Sequence, residues 1–360
     1  MRAGWVVVAG LALPGCGEAA EVPDASSPDA GLSRTESPVI KPNGVALTPR
    51  TPPRAPPARW VRRCVERAGR CDLPAGRYAP VEDGPAEVVW APEDGRYLNE
   101  PTLVRDGAGR WHVISNGATR EGDPWRERDL LHAVADSLRG PWSPRPDAVT
   151  GEGLRALWGA HLVADADGYR LIHYAQLGAE DRGENRVARS ADLSRWTVDR
   201  DPLPGGRDAM LLTLPDGREA LYSTATLERG AQVYDAVTAH VRAPGGAWSE
   251  RVVLEQTFPC RAACWGFYES PYVIALGGMY YLFTTYTDSG YATYEQTLVF
   301  RSEDPLRFAQ PPIAVLQGHG GEVHLEDGRF YLTRGGWPSR IGVARRGLSV
   351  VPLAWAPDGD

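Results

Sequence analysis

Lysine is almost missing from this chain: of its 39 basic residues only Lys41 is a lysine. A GC-rich genome spelling Arg for Lys accounts for that bias. No basic run occurs and the net charge is −7, which excludes nucleic acid as the main partner, because phosphate neutralisation needs clustered cations. Also absent are a His-Glu-x-x-His helix, a phosphate-binding loop and a nucleophile elbow, so metalloprotease, nucleotide-dependent and serine-hydrolase chemistry lose their support. With 31 prolines and 40 glycines, long helices are not expected. Hydrophobic residues at 42% and charged residues at 24% are globular values.

The apolar stretch Trp5 to Leu13 is too short to span a bilayer as a mature helix and, following Arg2, reads as a signal peptide over residues 1–16. Its end, Leu13-Pro14-Gly15-Cys16, resembles the bacterial lipobox. That resemblance implies export and acylation of Cys16, with a lipid anchor at the outer membrane or cell surface as the membrane contact. Residues 17–57 hold nine prolines and almost no periodic apolar residues, so they read as a disordered tether. About 300 residues remain, assigned to one domain over 58–360 and expected to be monomeric.

Four further cysteines form two local pairs, Cys64 with Cys71 and Cys260 with Cys264. In an exported chain they predict two disulfides. A four-cysteine zinc site is the rival reading, weakened by spacings that differ from the usual two residues.

The informative feature is a repeat. An apolar strand, a turn with Asp or Gly and a second strand with aromatics recur five times, starting at Glu100, Gly159, Asp208, Glu269 and His319. Aligned on the turn glycines Gly109, Gly168, Gly217, Gly278 and Gly328, the copies share one register without gaps. A third strand follows in most copies; in the fifth it is placed at Ile341 to Arg345, and Arg77 to Trp90 is expected to add an outer strand to the last sheet. The pattern predicts an all-β fold, a five-bladed β-propeller, with a two-sheet sandwich as the alternative. In a propeller the five starting residues converge on the axis, gathering three carboxylates and an imidazole.

The motifs Asn99-Glu100-Pro101, Arg207-Asp208-Ala209, Glu269-Ser270-Pro271 and Gly318-His319-Gly320 resemble those of the five-bladed glycoside hydrolases of family 43 and its furanosidase relatives in families 32, 62 and 68. Trp158-Gly159-Ala160 is similar to their Trp-Ala-Pro segment. The resemblance implies hydrolysis of arabinofuranoside, xyloside or fructoside linkages in an oligo- or polysaccharide. Carried over residue by residue, Glu269 is the general acid, Asp208 adjusts and orients it, and Glu100 activates water or attacks the sugar. Glu100 stands where the family has Asp, a longer side chain that shifts its carboxylate. His319 is expected to hold a water, a structural calcium or sodium, or the sugar, and no cofactor is required. Trp158, Trp265 and Trp337 offer faces for sugar stacking or for blade packing; Arg207 and His161 are candidate substrate contacts, with an acid partner and a core role as the other readings. A non-catalytic glycan- or protein-binding propeller lipoprotein is the alternative function.

Overall fold

The computed structural model describes residues 39–40, 46–47, 57–67, 70–118, 124–178, 183–229, 232–254, 267–287, 296–308, 312–335 and 347–358. Cys16, Cys260, Cys264, Trp265 and Trp337, with most of the expected tether, lie outside them.

Five antiparallel sheets follow one another along the chain. Blade one comprises Asn99–Arg105, Trp111–Gly117, Asp129–Ala135 and Ser143–Thr150. Blade two comprises Ala156–Asp165, Gly168–Gln176, Gly183–Ser190 and Thr197–Val198. Blade three runs through Arg207–Thr213, Glu219–Arg229, Gln232–Arg242 and Val252–Val253. Blade four contains Phe267–Leu276, Met279–Thr287, Gln296–Ser302 and Ala314–Gln317. Blade five contains His319–Glu326, Arg329–Gly335 and Leu348–Pro357. The first strands of successive blades touch, and that of blade five returns to that of blade one, so they encircle an axis. This is a five-bladed β-propeller, and the sandwich alternative is excluded.

Ring closure follows the expectation drawn from Arg77 to Trp90. Tyr78–Glu82 and Glu87–Trp90 both pair with Leu348–Pro357, placing an early segment in the last sheet. The third strand of that sheet is Leu348–Pro357, however, and the segment Ile341 to Arg345 falls outside the described residues. Hydrophobic clusters fill the gaps between neighbouring blades. Met210, Tyr222, Tyr268 and Phe300 join blades three and four, for example, while Trp111, Val113, Leu348 and Val350 join one and five. Each sheet thus covers both faces with its neighbours, which is why the strands read as apolar and aromatic rather than half polar. Cys64 and Cys71 form a disulfide with a Cα–Cα distance of 5.6 Å, which leaves neither thiol for zinc.

One register relation differs from the alignment on turn glycines. Within its first few residues each first strand has one in the left-handed backbone region, at a register shift against its neighbour. These residues are Glu100, Gly159, Asp208, Ser270 and Gly320, with φ between 50° and 59°. Glu269 and His319 therefore stand one residue earlier, level with Asn99, Trp158 and Arg207. The hairpins explain the slip. In blades one and three the turn glycine is the fourth of five loop residues, between Arg105 and Trp111 and between Thr213 and Glu219. In blades four and five it is the second of two, between Leu276 and Met279 and between Glu326 and Arg329. Their strands are one residue longer beyond the bulge, which offsets only half of the difference.

Candidate active site

The bulges put two tiers of side chains around the axis. The left-handed tier contributes Glu100 and Asp208, both buried at 8% and 7% exposure. The preceding tier contributes Arg207 and Glu269, whose side chains are more open at 24% and 17%. Left-handed backbone at a non-glycine residue costs about 1–3 kcal/mol and persists where the surroundings over-determine it. Glu100, Asp208 and Ser270 all carry that cost. Gly159 shows how tightly the tier closes: a Cβ there would stand 2.5 Å from Asp208 Cα and 2.8 Å from its Oδ1.

Glu100 is held from several directions. Oε1 accepts from the Ser270 hydroxyl and lies 3.5 Å from His319 Nε2. Oε2 accepts from the Gly159 N–H at 3.1 Å and from Asn116 Nδ2 at 3.3 Å. Burial pushes its pKa up, but His319, Ser270 and Gly159 together outweigh that and hold the carboxyl below its usual range. Asp208 has the opposite balance. Burial and the neighbouring Glu100 charge raise it well above the ordinary value, and the single bond from the Ser270 N–H, at 3.4 Å, does not offset them. Burial likewise raises Glu269, against the opposing pull of Arg207 and His319.

Arg207 lies among three acids. Its Nη2 donates to Asp235 at 2.7 Å and lies 3.6 Å from Glu269 Oε1, while Nε is 3.9 Å from Asp208 Oδ2. The three acids raise its already high pKa against the cost of burial. His319 is wholly buried, with its Nε2 toward Glu100. Among the described residues no group of three or more His, Cys, Asp or Glu side chains is arranged to hold a metal ion.

His161 and Trp158 occupy different surroundings. Beyond the bulge, a small cavity of about 30 Å³ is lined in part by Glu100, Asp208, His161, Tyr272 and Glu322. There His161 Nδ1 is 3.3 Å from Glu322 Oε1, making it an axial partner of a buried acid. Trp158 packs its ring parallel to Tyr174, its cross-strand partner, and edge-on to Trp125.

No protein-family model matches this sequence, and no curated protein does either. Solved structures do. A thermostable family-43 glycoside hydrolase is similar with a TM-score of 0.56 at 13% identity, covering 72% of this chain and 89% of that one. A family-43 β-xylosidase/α-arabinofuranosidase from a compost microbial metagenome, in complex with xylotriose, is similar at 0.54 and 15%, covering 77% and 95%. A further family-43 enzyme, from Xanthomonas citri and complexed with xylose, gives 0.53 and 15%, covering 75% and 89%. The chain has the fold of the family-43 glycoside hydrolases.

Within this family-43 fold, sequence reasoning missed four polar residues that shape the site. Ser270 was visible inside a quoted motif yet read only as its middle residue. Asp235 lies on the second of two 11-residue strands, Glu219–Arg229 and Gln232–Arg242, and unusual strand length was its one signal. Asn116, on the second strand of blade one, pairs across from Asn99 and carried no signal. Nor did Glu127, which follows the short turn Pro124–Arg126.

Proposed function

We propose that this protein is a glycoside hydrolase in which Glu269 protonates the leaving oxygen and Glu100 supplies the base or nucleophile. The observation that carries the reading is the divergence of three interacting carboxyl groups around the axis: Glu100 is held toward the ionised form while Asp208 and Glu269 are held toward the neutral acid. Opposed environments for neighbouring acids are how acid and base roles are divided in such enzymes. Asp208, held toward the neutral acid beside Arg207, spares Glu269 a further negative neighbour and orients it. The more open position of Glu269 suits a group that must reach a leaving oxygen.

The substrate class is an oligo- or polysaccharide with arabinofuranoside, xyloside or fructoside linkages, a choice supported by the xylose and xylotriose complexes of the similar structures. Export and a lipid anchor on Cys16 complete the proposal, placing the domain where polymeric glycans are met. Assay of the purified protein on aryl furanosides and pyranosides, beside Glu269→Gln, tests the reading. On glycosides whose leaving group needs protonation, loss of the acid is expected to cut the rate on the order of a hundredfold or more. Equal background release by both proteins would remove the enzyme claim.

A further inference from the structure

Behind Glu100 lies a fourth acid that the mechanism does not use. Glu127 is completely buried. Its Oε1 is 2.6 Å from the Tyr97 hydroxyl and 3.4 Å from Asn99 Nδ2, and its Oε2 accepts from Asn116 Nδ2 at 2.6 Å. The same Asn116 nitrogen is the one that donates to Glu100 Oε2. One primary amide therefore spends its two N–H bonds on two carboxyl groups. The segment that carries Glu127 is fastened to blade two, since the Leu157 N–H donates to the Glu127 carbonyl and the Gly151 N–H to that of Arg128, each at 2.6 Å.

We propose that Glu127 is a positioning residue for Glu100, acting through the shared Asn116 amide to fix where the reactive carboxylate points and how it responds to pH. This deepens the glycosidase reading and rests on it for the role of Glu100. A glutamate has one more rotatable bond than the aspartate of the similar family motif, so its carboxylate needs an additional restraint. Asn116 supplies it on the side away from Ser270 and His319. Left alone the amide could rotate; its short bond to Glu127 locks it.

A merely structural anchor would be met equally well by glutamine, which matches the shape of the acid without its ionisation. The acid is instead retained at a cost: burial, with the Glu100 charge adding to it, raises its pKa to about 8, although Tyr97, Asn116 and Asn99 pull it down. Below that pH Glu127 is neutral and Glu100 is the only anion on Asn116. Above it, a second negative charge competes for the same N–H pair. Other groups facing this network are His319, Asp208, Glu269 and Arg207 on the far side of Glu100.

The test uses the full chain with carboxyl-13C glutamate, following the Glu100 resonance, assigned with Glu100→Gln, from pH 3 to 10. In the wild type Glu100 is expected to show its own low-pH titration and a second displacement near pH 8. Glu127→Gln should erase the second displacement, and Asn116→Ala should raise the first midpoint. In turnover, Glu127→Ala is expected to lower kcat about tenfold, less than the hundredfold that a full ångström of misplacement can cost, with KM within about twofold. Glu127→Gln is expected to recover most of that loss. A Glu100 resonance that ignores the Glu127→Gln change overturns the proposal. The titration needs no substrate, so it separates the two readings: no sugar release with the expected titration removes the glycosidase and leaves the positioning role.

Discussion

Ser270 touches both deep carboxyl groups: its hydroxyl donates to Glu100 and its backbone N–H to Asp208 Oδ2 at 3.4 Å. A single residue on blade four thus spans the axis to blades one and three. Ser270→Gly tests its side chain cleanly, because φ is 50° there and glycine adopts that conformation without strain. The variant should fold, lose one bond to the ionised Glu100, raise its pKa, and lower kcat/KM about tenfold, consistent with about 1.5 kcal/mol for a hydrogen bond to a charged group. An unchanged acid limb of the pH profile would contradict this.

The proposed roles set a pH dependence. In that mechanism Glu100 acts ionised and is held below the usual range, while Glu269 acts protonated and is held above it. kcat/KM should therefore be bell-shaped, falling on the acid side below the ordinary glutamate value of about 4.3 and on the alkaline side above it. With an aryl glycoside whose leaving group needs no protonation, Glu269→Gln should keep measurable activity and lose the alkaline fall.

Gly159→Ala is expected to abolish activity and destabilise the ring. The added methyl would meet Asp208 backbone at 2.5 Å in a left-handed conformation that alanine resists. Thermal unfolding and release of aryl glycoside, measured together, check the two effects.

Glu322 and Glu127 should affect stability in opposite senses. Glu322 is buried between His161 and His324. Burial raises its pKa, but those histidines outweigh it and lower the value from 4.5 to about 2. A depressed acid stabilises the fold fully above pH 4.5, and this contribution, on the order of 3 kcal/mol, disappears as pH falls toward 2. For Glu127, raised from 4.5 to about 8, the native state keeps a proton that the unfolded chain releases, so stability declines as pH rises between those values. Glu127→Gln should therefore gain roughly 3 kcal/mol at pH 7 and almost nothing at pH 4. Urea midpoints of both glutamine variants across pH 2.5 to 8 measure each slope.

The blades were legible because a hairpin writes its turn chemistry and apolar pattern within a dozen residues. Axial convergence follows from repetition, which by itself brings Glu100, Asp208 and Glu269 toward one axis. The slip at Glu269 and His319 arose because glycines mark loops, whereas the bulges that aim side chains are set by φ values that Ser270 and Glu100 do not advertise. Asn116 and Glu127 were illegible for another reason. Their roles depend on which loop folds over which strand, and nothing local distinguishes a buried loop glutamate from a solvated one.

The pairing of Tyr78–Glu82 with Leu348–Pro357 gives the molecule a temporal constraint. A ribosome delivers the first partner well over two hundred residues ahead of the second, so the earlier strand must wait, its edge bare, until its mate has been made. Losing the late strand would deprive both early strands of their shared partner and leave a gap in the circle.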